Sequence, residues 1–317
     1  MQEAPASSKA PKRPGRVLLR TSDLTKSFGS FQVLKGLNLS VREGQVYGFL
    51  GRNGAGKTTS IQILMGIQKA DRGRLSWFGE FRQRPGVVEK QQIGYVSQEQ
   101  FFYPWMTCRY LGRFVSRFYP SWDMTYYSQL LGTFSLPAKR KVVNLSQGMR
   151  VKLALALALA HRPKILILDE PTAGLDPAAR REFLDIVSYQ ADHEGRTTLF
   201  SSHIVEEVER ISDRVGILRE GRLCYQGSLT RLGDLVRQIQ LPEPFAPQAP
   251  NRLEALQREA RLRGFEVLQK DVKHGSLVMR AEPRSWHSWQ RDHQTVESRL
   301  SLEDIFLGLT VERDLIV

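Results

Sequence analysis

Cysteine is scarce: Cys108 and Cys224 are the only two in 317 residues, far apart and in no CxxC pair. That excludes a disulfide scaffold and the usual zinc modules, and it fits a reducing compartment. Both cysteines read as small buried apolar residues. No apolar run reaches the roughly eighteen residues that a membrane-spanning helix needs. The opening stretch, MQEAPASSKAPKRPGR, lacks the apolar core of a secretory leader. It reads as a disordered basic tail over residues 1–16. These absences predict a soluble globular chain that stays in the cytoplasm. His274, His287 and His293 have no spacing to acidic or cysteine partners that would make a metal site.

Acidic residues are also in deficit, with 33 Asp and Glu against 46 Lys and Arg. Residues 1–20 hold five basic residues and one Glu, whereas residues 229–317 hold thirteen of each sign. Most of the excess therefore lies between residues 21 and 228. Such a surface suits nucleic acid, anionic lipid or a phosphate-bearing ligand, and equally a plain solvated face. Charge alone leaves these open.

What is present is a strongly ordered pattern. Short β-rich runs, VLLRTSDL and FQVLKGLNLSV, are separated by the turn signals FGS and EG. The apolar run QVYGFL ends at glycine, and GRNGAGKTT then opens a helix with Ile61, Leu64, Met65 and Gln68 at helical spacing. A second apolar strand, ILIL, ends in Asp169 and Glu170, and a third, TTLFSS, ends at His203. Strand, loop, helix and strand again predict an α/β fold with a parallel sheet and a ligand at the carboxyl ends of its strands. LALALALA alternates like a strand, but alanine and leucine are strong helix formers and alanine is depleted in strands. With Ser146 as a cap upstream and Pro163 as a stop, this segment is predicted helical. Beyond residue 228 the texture changes. LPEPFAPQAP reads as a linker or extended turn, flanked by a strand (LVRQIQL), a helix (NRLEALQREARLRG) and two strands (FEVLQK, SLVMR). The run SLEDIFLGLT is helical, with Ser301 capping an acidic first turn. Residues 229–317 thus form a small α+β module, in which Trp286 and Trp289 are packing residues.

The chemistry starts at residues 51–58, G-R-N-G-A-G-K-T, which fit GxxxxGK[ST] after a strand and before a helix. The glycines let backbone N–H groups close around phosphate oxygens. Lys57 would reach the β- and γ-phosphates, and the Thr58 hydroxyl would ligate Mg²⁺. Asp169 can hold the same ion through water, and Glu170 can polarise an attacking water as general base. NLSQGM, residues 144–149, raises a further point. Ser146 and Gly148 stand in front of a helix N-terminus, which is a second anion site.

PTAGLD follows the two carboxylates directly, with NLSQGM upstream and SSH downstream. In this order the motifs resemble those of the ATP-binding subunits of ABC transporters, over about residues 17–228. The resemblance implies an ABC ATPase core of the P-loop class, with an N-terminal antiparallel β subdomain and a helical subdomain carrying the signature motif. It implies ATP held by Gly51, Arg52, Asn53, Gly54, Ala55, Gly56, Lys57, Thr58 and Thr59, with Phe28 stacking on adenine. It places Gln98 on Mg²⁺ and the attacking water, beside Thr58 and Asp169, and His203 on the γ-phosphate. Asp176 would sit between two ATPase subunits that face each other head to tail, as a homodimer or heterodimer. The signature residues Ser146 and Gly148 would then close over the partner's ATP. Gln147 and Met149 depart from the usual LSGGQ.

Read by itself, Phe28 is equally a core phenylalanine. The run FFYPWMT, residues 101–107, is either covered by neighbouring helices or is a docking surface for a helix of a membrane subunit. FYPSWD and LEDIFLGLT resemble bacterial exporter ATPases of the antibiotic-resistance and acetoin-utilisation type. The implied function is ATP hydrolysis that powers a separate permease, from the cytoplasmic face of the membrane. The alternative is a soluble ABC ATPase acting on a nucleic-acid or ribosomal partner. A single cassette argues against it, so nucleic acid is not the expected partner. A GTPase fits poorly, since no NKxD motif appears.

Overall fold

The computed structural model describes residues 15–293 and 295–310, so most of the expected basic tail lies outside the described residues. Its last two residues are held in place. The Arg16 carbonyl accepts from the Glu43 N–H at 2.8 Å, and Arg42 donates to the Gly15 carbonyl at 3.2 Å. The folded part therefore starts at least two residues before Val17.

Alternating apolar residues build β1 (Val17–Phe28), β2 (Phe31–Leu37) and β3 (Ser40–Arg42). Next come β4 (Val46–Gly51), α1 (Lys57–Leu64), β5 (Arg72–Trp77), β6 (Glu80–Arg82), the one-turn α2 (Val87–Lys90) and β7 (Ile93–Val96). Helix α1 is shorter than its apolar spacing suggests. It stops at Leu64, Gly66 turns the chain at φ +69°, and Gln68 lies beyond the end. A helical block follows: α3 (Cys108–Val115), α4 (Met124–Thr133) and α5 (Gln147–Leu159). Each starts on a side-chain cap, from Thr107, Asp123 and Ser146 respectively, worth about 1 kcal/mol apiece. The alternating LALALALA segment lies in and just after α5, so propensity overrides period. Then come β8 (Ile165–Asp169), α6 (Pro177–Glu194), β9 (Thr197–Ser202), α7 (Val205–Ile211), β10 (Arg214–Arg219) and β11 (Arg222–Ser228).

The central sheet has the order β11-β10-β4-β9-β8-β7, parallel throughout except for β11 at one edge. Its parallel strands are buried on both faces, and alternate residues feed two cores. Tyr47, Phe49, Ile165 and Ile167 pack with α1 and the antiparallel sheet β2-β1-β5-β6. Leu50, Leu166, Leu168 and Phe200 pack with the helices on the other side. Because β4, β9 and β8 are parallel neighbours, the phosphate-loop motif, His203 and the Asp169–Glu170 pair emerge at one edge of the sheet. Topology assembles the site.

The chain continues through α8 (Leu229–Leu235), β12 (Val236–Gln240), α9 (Ala249–Leu262), β13 (Glu266–Asp271) and β14 (Ser276–Arg280). It closes with α10 (Pro283–Asp292), β15 (Val296–Arg299) and α11 (Leu302–Thr310). The antiparallel sheet β13-β14-β12-β15 carries a small core of its own, where Trp286 packs edge-on against Phe265 at 5.0 Å. Both tryptophans are fully buried. The module is nonetheless not separate from the larger one. Leu302, Ile305, Phe306 and Leu309 recur at i, i+3, i+4 and i+7, and this face of α11 packs on α7 and β10 within the main core. Residue 228 thus marks a change of sheet, not a break in packing. Cys108 is buried as expected, whereas Cys224 is only half-buried. Among the described residues no helix is long and apolar enough to cross a membrane.

Candidate active site

The chain leaves β4 at Gly51 and enters α1 at Lys57 through a loop that only glycine permits. Gly54 and Gly56 have φ of +80° and +106°. A Cβ on Gly56 would come within 2.8 Å of the Leu34 side chain. The loop wraps around its own lysine. Lys57 is 4% exposed, and its Nζ donates to the carbonyls of Gly51 at 2.6 Å and Arg52 at 3.2 Å. A glycine loop running into a helix N-terminus, with a cation in its centre, fits a chain of phosphates.

Asp169 ends β8 and faces that loop. Its Oδ1 accepts from the Thr58 hydroxyl at 3.3 Å and from the Ser201 hydroxyl at 2.9 Å. Burial pushes the Asp169 carboxyl above the usual carboxylate range, against these two hydrogen bonds, which favour the charged form. Glu170 comes next, at φ +43°, a left-handed conformation costing a non-glycine residue about 1–3 kcal/mol. The surroundings hold it there. The Glu170 N–H donates to Ser201 Oγ at 2.9 Å, and the Glu170 carbonyl accepts from the Ala173 N–H at 3.1 Å. The carboxylate then reaches two partners, Lys57 Nζ at 2.9 Å and His203 Nδ1 at 3.1 Å.

Lys57, Thr58, Thr59, Gln98, Glu170 and His203 all line one groove of about 530 Å³. It adjoins a larger one of about 980 Å³ that takes in Arg52, Asn53, Gly54 and Ala55 on one side and Phe306 of α11 on the other. Phe31, which the sequence reading did not single out, lines both. Phe28 stands opposite Phe31 in the β1–β2 register, about half exposed, with Lys26 Nζ 5.3 Å above its ring. Of the two, Phe31 borders the groove.

Besides Phe28, three predicted site residues lie elsewhere. Ser146 caps α5, accepting from the Met149 N–H at 3.3 Å, and Gly148 follows in its first turn. Asp176 caps α6, accepting from the N–H groups of Ala178 and Ala179 at 3.0 and 2.9 Å. None of the three borders the groove that holds Lys57. Ser201 was missed, although the motif SSH contains it. The signal was its strand register, which sets Ser201 directly beside Asp169. The late histidines keep their contacts within the distal module: His274 with Asp271 at 2.7 Å, and His293 with Glu259 of α9 at 3.0 Å.

The chain resembles known proteins along most of its length. The ABC transporter family model matches residues 34–173. The ABC transporter ATP-binding protein YtrB of Bacillus subtilis (strain 168) is 33% identical over 295 residues, covering 92% of this chain and 97% of its own. The bacitracin transport ATP-binding protein BcrA of Bacillus licheniformis is 38% identical, covering 65% of this chain and 68% of its own. The Nod factor export ATP-binding protein I of Burkholderia orbicola (strain AU 1054) is 33% identical, covering 91% and 95%. Among solved structures, an ATP-binding subunit of an ABC transporter superposes with a TM-score of 0.61 at 28% identity, covering 68% of this chain and 91% of its own. A dimeric bacterial ABC transporter cassette has the same fold, with a TM-score of 0.60 at 21% identity over 67% of this chain and 98% of its own. A phosphate loop facing an Asp–Glu pair could belong to several nucleotide hydrolases; matched over nine-tenths of its length to such relatives, this chain belongs to the ABC transporter family, as an ATP-binding subunit that hydrolyses ATP.

Proposed function

We propose that the subunit works as a head-to-tail dimer on the cytoplasmic face of the membrane, powering a separate permease that exports hydrophobic or peptide-like compounds. One observation carries the dimer reading. The groove that gathers Lys57, Gln98, Glu170 and His203 does not include Ser146, which lies exposed at the start of α5. A second anion site outside the first suits a phosphate held by another chain. Export is supported by the relatives, named for bacitracin transport, linearmycin resistance and Nod factor export. The reading as a ribosomal or nucleic-acid ATPase has no comparable support.

Within each site Lys57 neutralises the β/γ charge. Thr58 and Asp169 present oxygen donors 3.3 Å apart with Gln98 lining the same groove, the donor set a hard divalent cation prefers. Mg²⁺ bound there supplies charge neutralisation at the phosphoryl oxygens. Glu170 accepts the proton of the attacking water, and His203 fixes its second carboxylate oxygen. Asp169 keeps its orientation through Ser201, which also holds the Glu170 N–H. Asp176 orders the start of α6 near the partner's surface.

The aromatic run after Gln98 supports a permease contact. Phe102 and Met106 are covered, but Phe101, Tyr103 and Trp105 are 86%, 50% and 58% exposed. Replacing Phe101 and Trp105 together by Glu should lower the membrane-bound fraction about tenfold or more, as loss of an aromatic anchor does. ATP affinity of the purified subunit should not change. In inverted vesicles, the intact complex should drive an amphipathic peptide antibiotic into the lumen when ATP is added. An unchanged membrane fraction would remove the docking assignment, and ATP-driven loss from the lumen would reverse the direction of transport.

A further inference from the structure

One side chain joins the signature turn to the turn that follows Glu170. Gln147 Nε2 donates to the Ala173 carbonyl at 3.2 Å. Its amide lies over Gly174, at φ +73°, where a Cβ would stand 2.9 Å from the same nitrogen. Ala173 lines the groove beside Glu170 and donates its N–H to the Glu170 carbonyl. A hydrogen-bonded run thus connects residue 147 to the residue that holds the left-handed Glu170. The next signature residue faces α6 with little room to spare: a Cβ on Gly148 would be 3.3 Å from Ala179 Cβ.

We infer that Gln147 is a positioning residue that couples the two half-sites carried by a single chain. One is the signature turn, which serves the partner's ATP; the other is the turn that aims this chain's own Glu170. The inference rests on the shared-site reading above. Glycine at this position has no side chain to make the bond. Glutamate would set a carboxylate against the Ala173 carbonyl, whereas lysine keeps a donor of similar reach. Displacement of the signature turn is passed through the Gln147 amide to the Ala173 carbonyl, and so to the backbone of Glu170.

The test uses tagged mixed dimers in which one chain carries Lys57→Ala, leaving one competent site per dimer. Gln147→Glu on the chain with intact Lys57 lies in the same chain as the working Glu170, and away from the signature that closes that site. There it should slow single-turnover hydrolysis about three- to tenfold, the scale of one lost hydrogen bond. Gln147→Lys in the same chain should restore the rate to within about twofold. Melting temperature and ATP affinity should hold. In the nucleotide-free chain, amide exchange over residues 172–175 should quicken by a similar factor in Gln147→Glu only. Unchanged hydrolysis with Gln147→Glu, or no rescue by Gln147→Lys, would overturn the coupling. Ser146→Arg run in the same two placements separates this from failure of the shared site. Shared sites require that it abolish occlusion only from the Lys57→Ala chain. If it does so only from the other chain, each chain closes its own site, and the coupling falls with that reading.

Discussion

Glu170→Gln should bind Mg-ATP normally and hydrolyse it on the order of 10²-fold or more slowly, the usual cost of losing a positioned general base. The substitution keeps size and shape, so the left-handed backbone at φ +43° and its hydrogen bond to Ser201 have no reason to change. What it removes is a carboxylate set 2.9 Å from Lys57 and 3.1 Å from His203. An amide there accepts no proton from water. It also takes one negative charge away from the phosphates and from Asp169, which favours the ATP-bound dimer over its dissociation. Steady-state turnover beside ATP-induced dimerisation in size-exclusion chromatography checks both halves. Turnover within a few-fold of the parent would mean that another group activates the water, with His203 the first to examine.

Lys57→Ala acts earlier, on binding. Its ammonium is buried, donates to two loop carbonyls and pairs with Glu170. Removing it deletes the loop's buried side-chain cation, leaving Arg52 at the rim, and leaves the buried Glu170 carboxylate facing the phosphates with His203 beside it. Truncating one member of a buried charged pair costs about 2–5 kcal/mol, so ATP affinity should fall at least about 30-fold. Equilibrium titration with Mg-ATP measures this, and thermal unfolding shows that the chain remains folded. Unchanged affinity would mean that the loop is not the phosphate site.

The parts of this site that were legible in the sequence are those fixed by backbone rules. A glycine pattern between a strand and a helix, and acids at the end of an apolar strand, leave few ways to fold. Alanine and leucine made α5 readable against its own misleading alternation. Contacts set by register were less legible. Ser201 became visible as a site residue only when β9 was seen beside β8. Phe31 borders the groove, where the resemblance had implied Phe28, because β2 is the strand that runs beside the phosphate loop, with Val33 and Leu34 against Gly56.

The distal module shows the same limit. Helix α10 reads as PRSWHSWQRD, mostly polar, and only its two buried tryptophans mark the inner face. Strand β15, VESR, is largely exposed and carries no alternating signal. The spacing of Leu302, Ile305, Phe306 and Leu309 announces a buried face but cannot say which surface buries it. That surface is α7 and β10. The same helix also sends Phe306 to the larger groove beside the phosphate loop.

The central claim is that a complete ATP site needs two chains, one giving the phosphate loop and the other the signature. Mixing Lys57→Ala with Ser146→Arg measures it most directly. Ser146→Arg places bulk where a γ-phosphate would lie; it also removes the α5 cap, worth about 1 kcal/mol, so thermal unfolding must show that it still folds. In a mixed dimer one site collects both defects, while the other combines a normal loop with a normal signature. Tagged mixed dimers should occlude about half an ATP per chain, well above either variant alone. Occlusion no higher than either variant alone, in mixed dimers shown to have formed, would mean that each chain builds its own site.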